Sequence, residues 1–152
     1  MKTLIKICGL TTQESVDVAV QSGADLIGFV FAKISPRCIS SEQARQLSES
    51  IPEQVKTTAV MLHPSDTEVQ EVFDEFPADY LQTDAKDFES LNLPEGCRPL
   101  KVYRDLPGFN PSDIDPNVCL CLRAKTAGSD SWSIQVVQWR LPVTRRLFSQ
   151  VA

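Results

Sequence analysis

The sequence carries a single histidine, His63, so neither a multi-histidine metal cluster nor a paired-histidine acid–base site can be built from it. It has no excess of positive charge: 15 Lys and Arg stand against 20 Asp and Glu, a formal net charge of −5. Non-specific affinity for nucleic-acid phosphates comes from clustered Lys and Arg, so no nucleic-acid partner is expected. No apolar run reaches the ~18–20 residues of a membrane-spanning helix, and no membrane partner is expected. The first seven residues open like a secretory leader, but Cys8-Gly9 follows at once and the apolar stretch is too short for one. The five cysteines, Cys8, Cys38, Cys97, Cys119 and Cys121, are odd in number and irregularly spaced. That excludes a regular disulfide frame and fits the reduced thiols of a cytoplasmic protein. What is present is ordinary globular material, 42% hydrophobic and 23% charged over 152 residues. The expectation is one domain over 1–152, with the structure of 123–152 left open.

Along the first two thirds, β-type runs alternate with amphipathic helical stretches. Leu4 to Cys8 is a short β-branched run closed by Gly9, which predicts a strand. Thr11-Thr12-Gln13-Glu14 has the S/T-x-x-E capping pattern, Val16, Ala19 and Val20 follow at helical spacing, and Gly23 sits where a left-handed C-terminal cap belongs. Leu26 to Phe31 is a nearly unbroken apolar run, as a strand covered on both faces requires. The rhythm repeats with a helix from Ser41 to Ile51, a strand from Thr57 to Leu62 and a second capping box at Ser65–Glu68. That box precedes Val69, Val72, Phe73 and Phe76, whose spacing predicts core packing. A strand at Tyr80–Gln82, a brief helix marked by Phe88 and Leu91 and a strand at Leu100–Tyr103 complete five units. Beyond them the prolines between Leu106 and Asn117 break the pattern, Val118 to Leu122 suggests a sixth strand, and Trp132 to Trp139 is ambiguous.

Strand–helix alternation with short links means βαβ units and a parallel sheet. An open five-stranded flavodoxin-like sheet fits this length. A full (β/α)8 barrel would leave about 19 residues per unit, hardly room for a strand, a helix and two links. Chain length favours the open sheet; the motifs favour the barrel.

Lys6-Ile7-Cys8-Gly9-Leu10-Thr11, then Gly23-Ala24-Asp25-Leu26-Ile27-Gly28-Phe29-Val30-Phe31, then Ser35-Pro36-Arg37, together resemble the phosphoribosylanthranilate isomerase family of tryptophan biosynthesis. The similarity runs on through Tyr80-Leu81-Gln82 and returns at Ala124–Gly128 and Ser131-Trp132-Ser133. The resemblance implies a parallel (β/α)8 TIM-type barrel, incomplete here with about six βα units and not closed. It implies an Amadori rearrangement of a small phosphorylated sugar–anthranilate substrate, with no cofactor and no metal. Cys8 matches the catalytic base and Arg37 the arginine that grips the anthranilate carboxylate. Gln82 is a substrate-binding candidate at the end of the fourth strand. The family's general acid is a carboxylate after the sixth strand, where this chain has Arg123 or, one residue earlier, Leu122. The acid is therefore unassigned, and Asp130 is the nearest downstream carboxylate. The segments that hold the substrate phosphate have no counterpart. The alternative expectation is a catalytically silent barrel remnant that self-associates through an open barrel edge.

Three further features read as structural. His63, just before Pro64 and a cap, reads as a loop residue. Alternation puts Cys119 and Cys121 on one sheet face, which fits packing rather than zinc. The basic tail with Arg140, Arg145 and Arg146 reads as solvated.

Overall fold

The computed structural model describes residues 4–104 and, as backbone only, two further strands at 119–123 and 135–138. Seven strands result: β1 (Leu4–Cys8), β2 (Leu26–Val30), β3 (Lys56–Val60), β4 (Tyr80–Asp84), β5 (Arg98–Arg104), β6 (Cys119–Arg123) and β7 (Gln135–Gln138). Helices α1 (Gln13–Gln21), α2 (Ser41–Ser48) and α3 (Asp66–Glu75) follow the first three strands, and a 3-10 turn, Ala85–Glu89, follows β4. β1 to β6 pair in chain order and all run parallel. That order has no reversal point, which removes the flavodoxin-like alternative.

As a parallel barrel the molecule is open and incomplete, with six parallel strands among the described residues instead of eight. The gap is bridged in a way the sequence did not suggest. β7 runs antiparallel and pairs with both β6 and β1, so the hydrogen-bonded neighbours form a closed ring. One reversed strand thereby covers two edges that would otherwise expose unpaired backbone groups. It falls within the stretch of ambiguous pattern. Asp130 and the tail arginines lie outside the described residues, as do the side chains of Cys119, Cys121, Leu122 and Arg123.

The helices start where side chains satisfy their first N–H groups. Ser65 accepts from Glu68 N, and the Glu68 carboxylate accepts from Ser65 N at 2.9 Å, the expected capping box. At α1 the cap is one residue later than the sequence suggested. Thr12, in extended conformation, caps Ser15 N, and Ser15 takes the return role expected of Glu14. This register turns Val16 and Ala19 fully inward. α2 stops at Ser48, short of Ile51, with tighter i→i+3 bonds from Glu49 and Ile51 leading into Pro52.

Two layers of packing follow from strand alternation. The outward side chains Ile27, Phe29, Ala59 and Leu81 meet the helices through Val16, Ala44, Val69 and Phe73. Phe76 closes this layer edge-on to Phe29, with ring centroids 5.5 Å apart. The inward layer is smaller: Leu26, Tyr80, Leu100 and Val102, with Leu4 against them. The same inner wall buries Lys6, Thr58 and Gln82. β2 is buried at every position, as its unbroken apolar run predicts.

Candidate active site

The strands' C-terminal ends open onto a cleft of about 310 Å³, lined among others by Cys8, Val30, Arg37, Val60, Gln82 and Asp84. Cys8 ends β1 half-buried on the same inward face as Lys6. Gly28, its partner on β2, makes room for both: a Cβ there would lie 2.9 Å from Cys8 Sγ and 2.9 Å from Lys6 Nζ. Any side chain at position 28 would push the thiol off the wall.

Gly9 turns the chain out of β1 at φ +80°, the left-handed region that glycine enters without penalty. Arg37 lies across it. A Cβ at Gly9 would sit 2.8 Å from Arg37 Nη1, and that nitrogen donates to Cys8 O at 3.4 Å. The loop carrying Arg37 is fixed by its own sequence. Arg37 N donates to Ser35 Oγ at 3.2 Å, and Ile39 N returns to Val30 O at 3.0 Å. The cleft mouth is apolar on this side, where Ile34 and Leu62 stand 83% and 42% exposed.

Gln82 is 5% exposed, and its Oε1 has no hydrogen-bond partner; the buried Thr58 Oγ1 shares that state. Two unsatisfied polar atoms inside a wall are costly by about 1–3 kcal/mol each, and Gln82, which lines the cleft, can be satisfied by a hydroxyl or water entering it. The structure thus brings Cys8, Arg37 and Gln82 to one cleft.

Not foreseen was a polar cluster beside the cleft. His63 lies in a loop, as expected, and has φ +46°, the one positive φ on a non-glycine among the described residues. Its Nδ1 lies 3.0 Å from Asp87 Oδ1, and its Nε2 lies 3.9 Å from Asp84 Oδ2. Asp87 is also bonded by the Thr83 hydroxyl. Burial acts to raise the Asp87 carboxyl, but the hydrogen bonds from Thr83 and His63 and the attraction of the ring outweigh it and hold the carboxyl below its ordinary value. The available signal was Thr83-Asp84 at a strand end with Asp87 one turn on, facing the chain's one histidine. Cys97, by contrast, is an inert thiol: burial pushes it up to about 11. Among the described residues no cluster of three or more His, Cys, Asp or Glu could hold a metal ion.

Fold and site define the class first. This is a parallel β/α barrel, incomplete among the described residues, with Cys8, Arg37 and Gln82 at the strands' C-terminal rim, the face where such barrels carry their active sites. Comparison with known proteins supplies the family. The family model described as N-(5'phosphoribosyl)anthranilate (PRA) isomerase matches residues 5–93. The isomerase of Streptococcus mutans is 51% identical over 80 residues, covering 53% of this chain and 41% of that protein. The isomerase of Bordetella pertussis is 40% identical over 116 residues, covering 72% of this chain and 51% of its own length. The solved phosphoribosylanthranilate isomerase of Thermotoga maritima superposes with a TM-score of 0.66 at 26% identity, covering 84% of this chain and 64% of that one. A further isomerase, solved with reduced 1-(O-carboxyphenylamino)-1-deoxyribulose 5-phosphate, gives 0.64 at 25% identity over 82% of this chain and 66% of that one. The chain belongs to the phosphoribosylanthranilate isomerase family. It spans about half the length, or less, of the curated relatives it matches.

Proposed function

We propose that this chain carries the base and carboxylate-binding half of a phosphoribosylanthranilate isomerase site. The reaction is the Amadori step of tryptophan biosynthesis, in the cytoplasm, without a cofactor. The observation that carries the reading is the stacking of Arg37 over Cys8-Gly9 at the mouth of one cleft. A planar guanidinium meets a carboxylate through two parallel hydrogen bonds. Beside it, exposed Ile34 and Leu62 offer an apolar lip to an aromatic ring. An aromatic acid seated there puts the attached ribose over Cys8, with the Gln82 acceptor of the same cleft to take a hydroxyl.

In the reaction a proton donor protonates the ribose ring oxygen O4′ while the C1′–O4′ bond breaks, its electron pair remaining on O4′. The anilino nitrogen fills C1′=N with its lone pair. Cys8, as thiolate, removes the C2′ proton; the electrons freed form C1′=C2′ and return charge to nitrogen. The enol then loses its O2′ proton and gains one at C1′, giving the 1-amino-1-deoxyketose.

The test is the loss of anthranilate-adduct fluorescence in the presence of the purified chain. Turnover proportional to chain concentration, and abolished by Cys8→Ala, is the expected result; no turnover by the folded chain would overturn the reading. A second reading is a catalytically silent remnant that self-associates. It draws on Ile5 and Val18, which stand 45% and 57% exposed near the first unit. Native mass separates the two readings: a turning-over monomer excludes the remnant.

A further inference from the structure

We propose that Asp84, held by His63, is the proton donor of this site. The inference rests on the isomerase reading above and assigns the acid which that reading leaves open. Asp84 is the one carboxylate lining the cleft among the described residues. Strand alternation puts it on the inward face with Tyr80 and Gln82, paired across to Val102 of the inner layer. It therefore looks into the same space as Cys8, from the far side of the β1–β4 arc. An isomerisation that takes a proton at C2′ and gives one at O4′ needs its two groups on different sides of the sugar, as these strands supply.

The second observation is the Gln82 amide on the same strand face, 5% exposed with an unpartnered Oε1. It marks this stretch of wall as shaped for a polar guest. The third is the arrangement behind Asp84. Asp87, which accepts from the Thr83 hydroxyl, holds the His63 ring through Nδ1, and the ring's Nε2 turns to Asp84 at 3.9 Å, on a left-handed backbone. Non-glycine residues enter that region at a cost of about 1–2 kcal/mol, which local packing must impose. Asp84 is 20% exposed and His63 59%, so the carboxyl faces the guest and the ring faces water. His63 is accordingly a positioning residue and the nearest route by which Asp84 exchanges its proton with solvent.

The proton inventory closes. Asp84 gives its proton to O4′ as C1′–O4′ breaks and recovers one from O2′ as the enol collapses to the ketone. Cys8 takes the C2′ proton and returns one to C1′. No oxidant, reductant or third reactant enters.

The test compares Asp84→Asn, Asp84→Glu and His63→Gln with the unaltered chain by steady-state turnover. Affinity for reduced 1-(O-carboxyphenylamino)-1-deoxyribulose 5-phosphate is measured in parallel. Asp84→Asn is expected to lower kcat by about 10²-fold or more while KM and analogue affinity stay within about threefold. Asp84→Glu should restore part of kcat, and His63→Gln should lower kcat by about tenfold at unchanged KM. Full kcat in Asp84→Asn overturns the proposal and leaves the isomerase reading intact. An unaltered folded chain that turns nothing over, whether or not it binds the analogue, removes the isomerase reading itself, and this inference with it.

Discussion

The two rims of the barrel use the same residue types for opposite ends. At the N-terminal rim, Asp25 accepts from Ile5 N at 2.9 Å, and Asp79 accepts from Thr57 N at 2.8 Å and from Thr57 Oγ1 at 3.1 Å. Lys56 closes on Asp79 at 3.4 Å. Each aspartate precedes one strand and ties down the start of its neighbour, so these carboxylates are consumed by backbone and by one cation. At the C-terminal rim, Asp84 and Asp87 face a histidine, Asp87 also accepting from the Thr83 hydroxyl and the Asp84 backbone, and a guanidinium lies over a glycine beside a thiol. Asp25 and Asp79 fix strand starts, whereas Asp84 lines the cleft. The division matches the general behaviour of such barrels, in which the lower face supports the fold and the upper face reacts.

The contrast can be broken most forcefully at Cys8. Cys8→Ala should cut kcat by about 10²–10⁴-fold, the contribution of a positioned base, while the thermal midpoint stays within a degree or two of the parent. An equal loss of stability would show that the thiol serves packing, and the rims would no longer differ. Gly9→Ala probes the upper rim from its backbone. At φ +80° an alanine costs about 1–2 kcal/mol, and its Cβ would displace Arg37 from 2.8 Å. Denaturant melts should register the first effect and a raised KM the second.

The lower rim answers differently. Asp79→Ala removes two hydrogen bonds to Thr57 and should destabilise by about 1–2 kcal/mol, with kcat and KM unchanged. A change in kcat would mean that the rims are coupled. The smallest effect concerns pH. The Asp87 carboxyl lies lower in the folded chain than in the unfolded one. Its contribution is thus complete above the ordinary carboxylate value of about 4 and disappears as pH falls through the folded value. Asp87→Asn should flatten the acid limb of stability against pH, read from urea melts between pH 6 and 2.

Much of this was legible before any coordinates. The strand and helix pattern of the first five units follows from apolar periodicity, and the capping box at Ser65 was read correctly because its two partners are local. Cys8, Arg37 and Gln82 reach one cleft because each ends or follows a strand of a parallel sheet, a placement that topology alone dictates. The antiparallel β7 was not legible, since a strand that pairs with β1 across the whole chain leaves no local signature beyond the short run Gln135–Gln138. Thr12 rather than Thr11 caps α1 because burial of Val16 and Ala19 selects the register, and a Ser at the third position serves as well as a Glu. The contacts of His63 were not legible for a similar reason. Its partners, Asp84 and Asp87, are more than twenty residues away in sequence and become neighbours only when β3 and β4 align.

The most direct test of the upper rim as a substrate site is a fluorescence titration of the purified chain with reduced 1-(O-carboxyphenylamino)-1-deoxyribulose 5-phosphate. It is run beside Arg37→Met and Asp79→Ala. Saturable binding is expected, weakened by about 10–100-fold in Arg37→Met through loss of a charge-assisted carboxylate pair and unchanged in Asp79→Ala. Binding that does not saturate, or that survives the loss of the guanidinium undiminished, would contradict a substrate site at this rim.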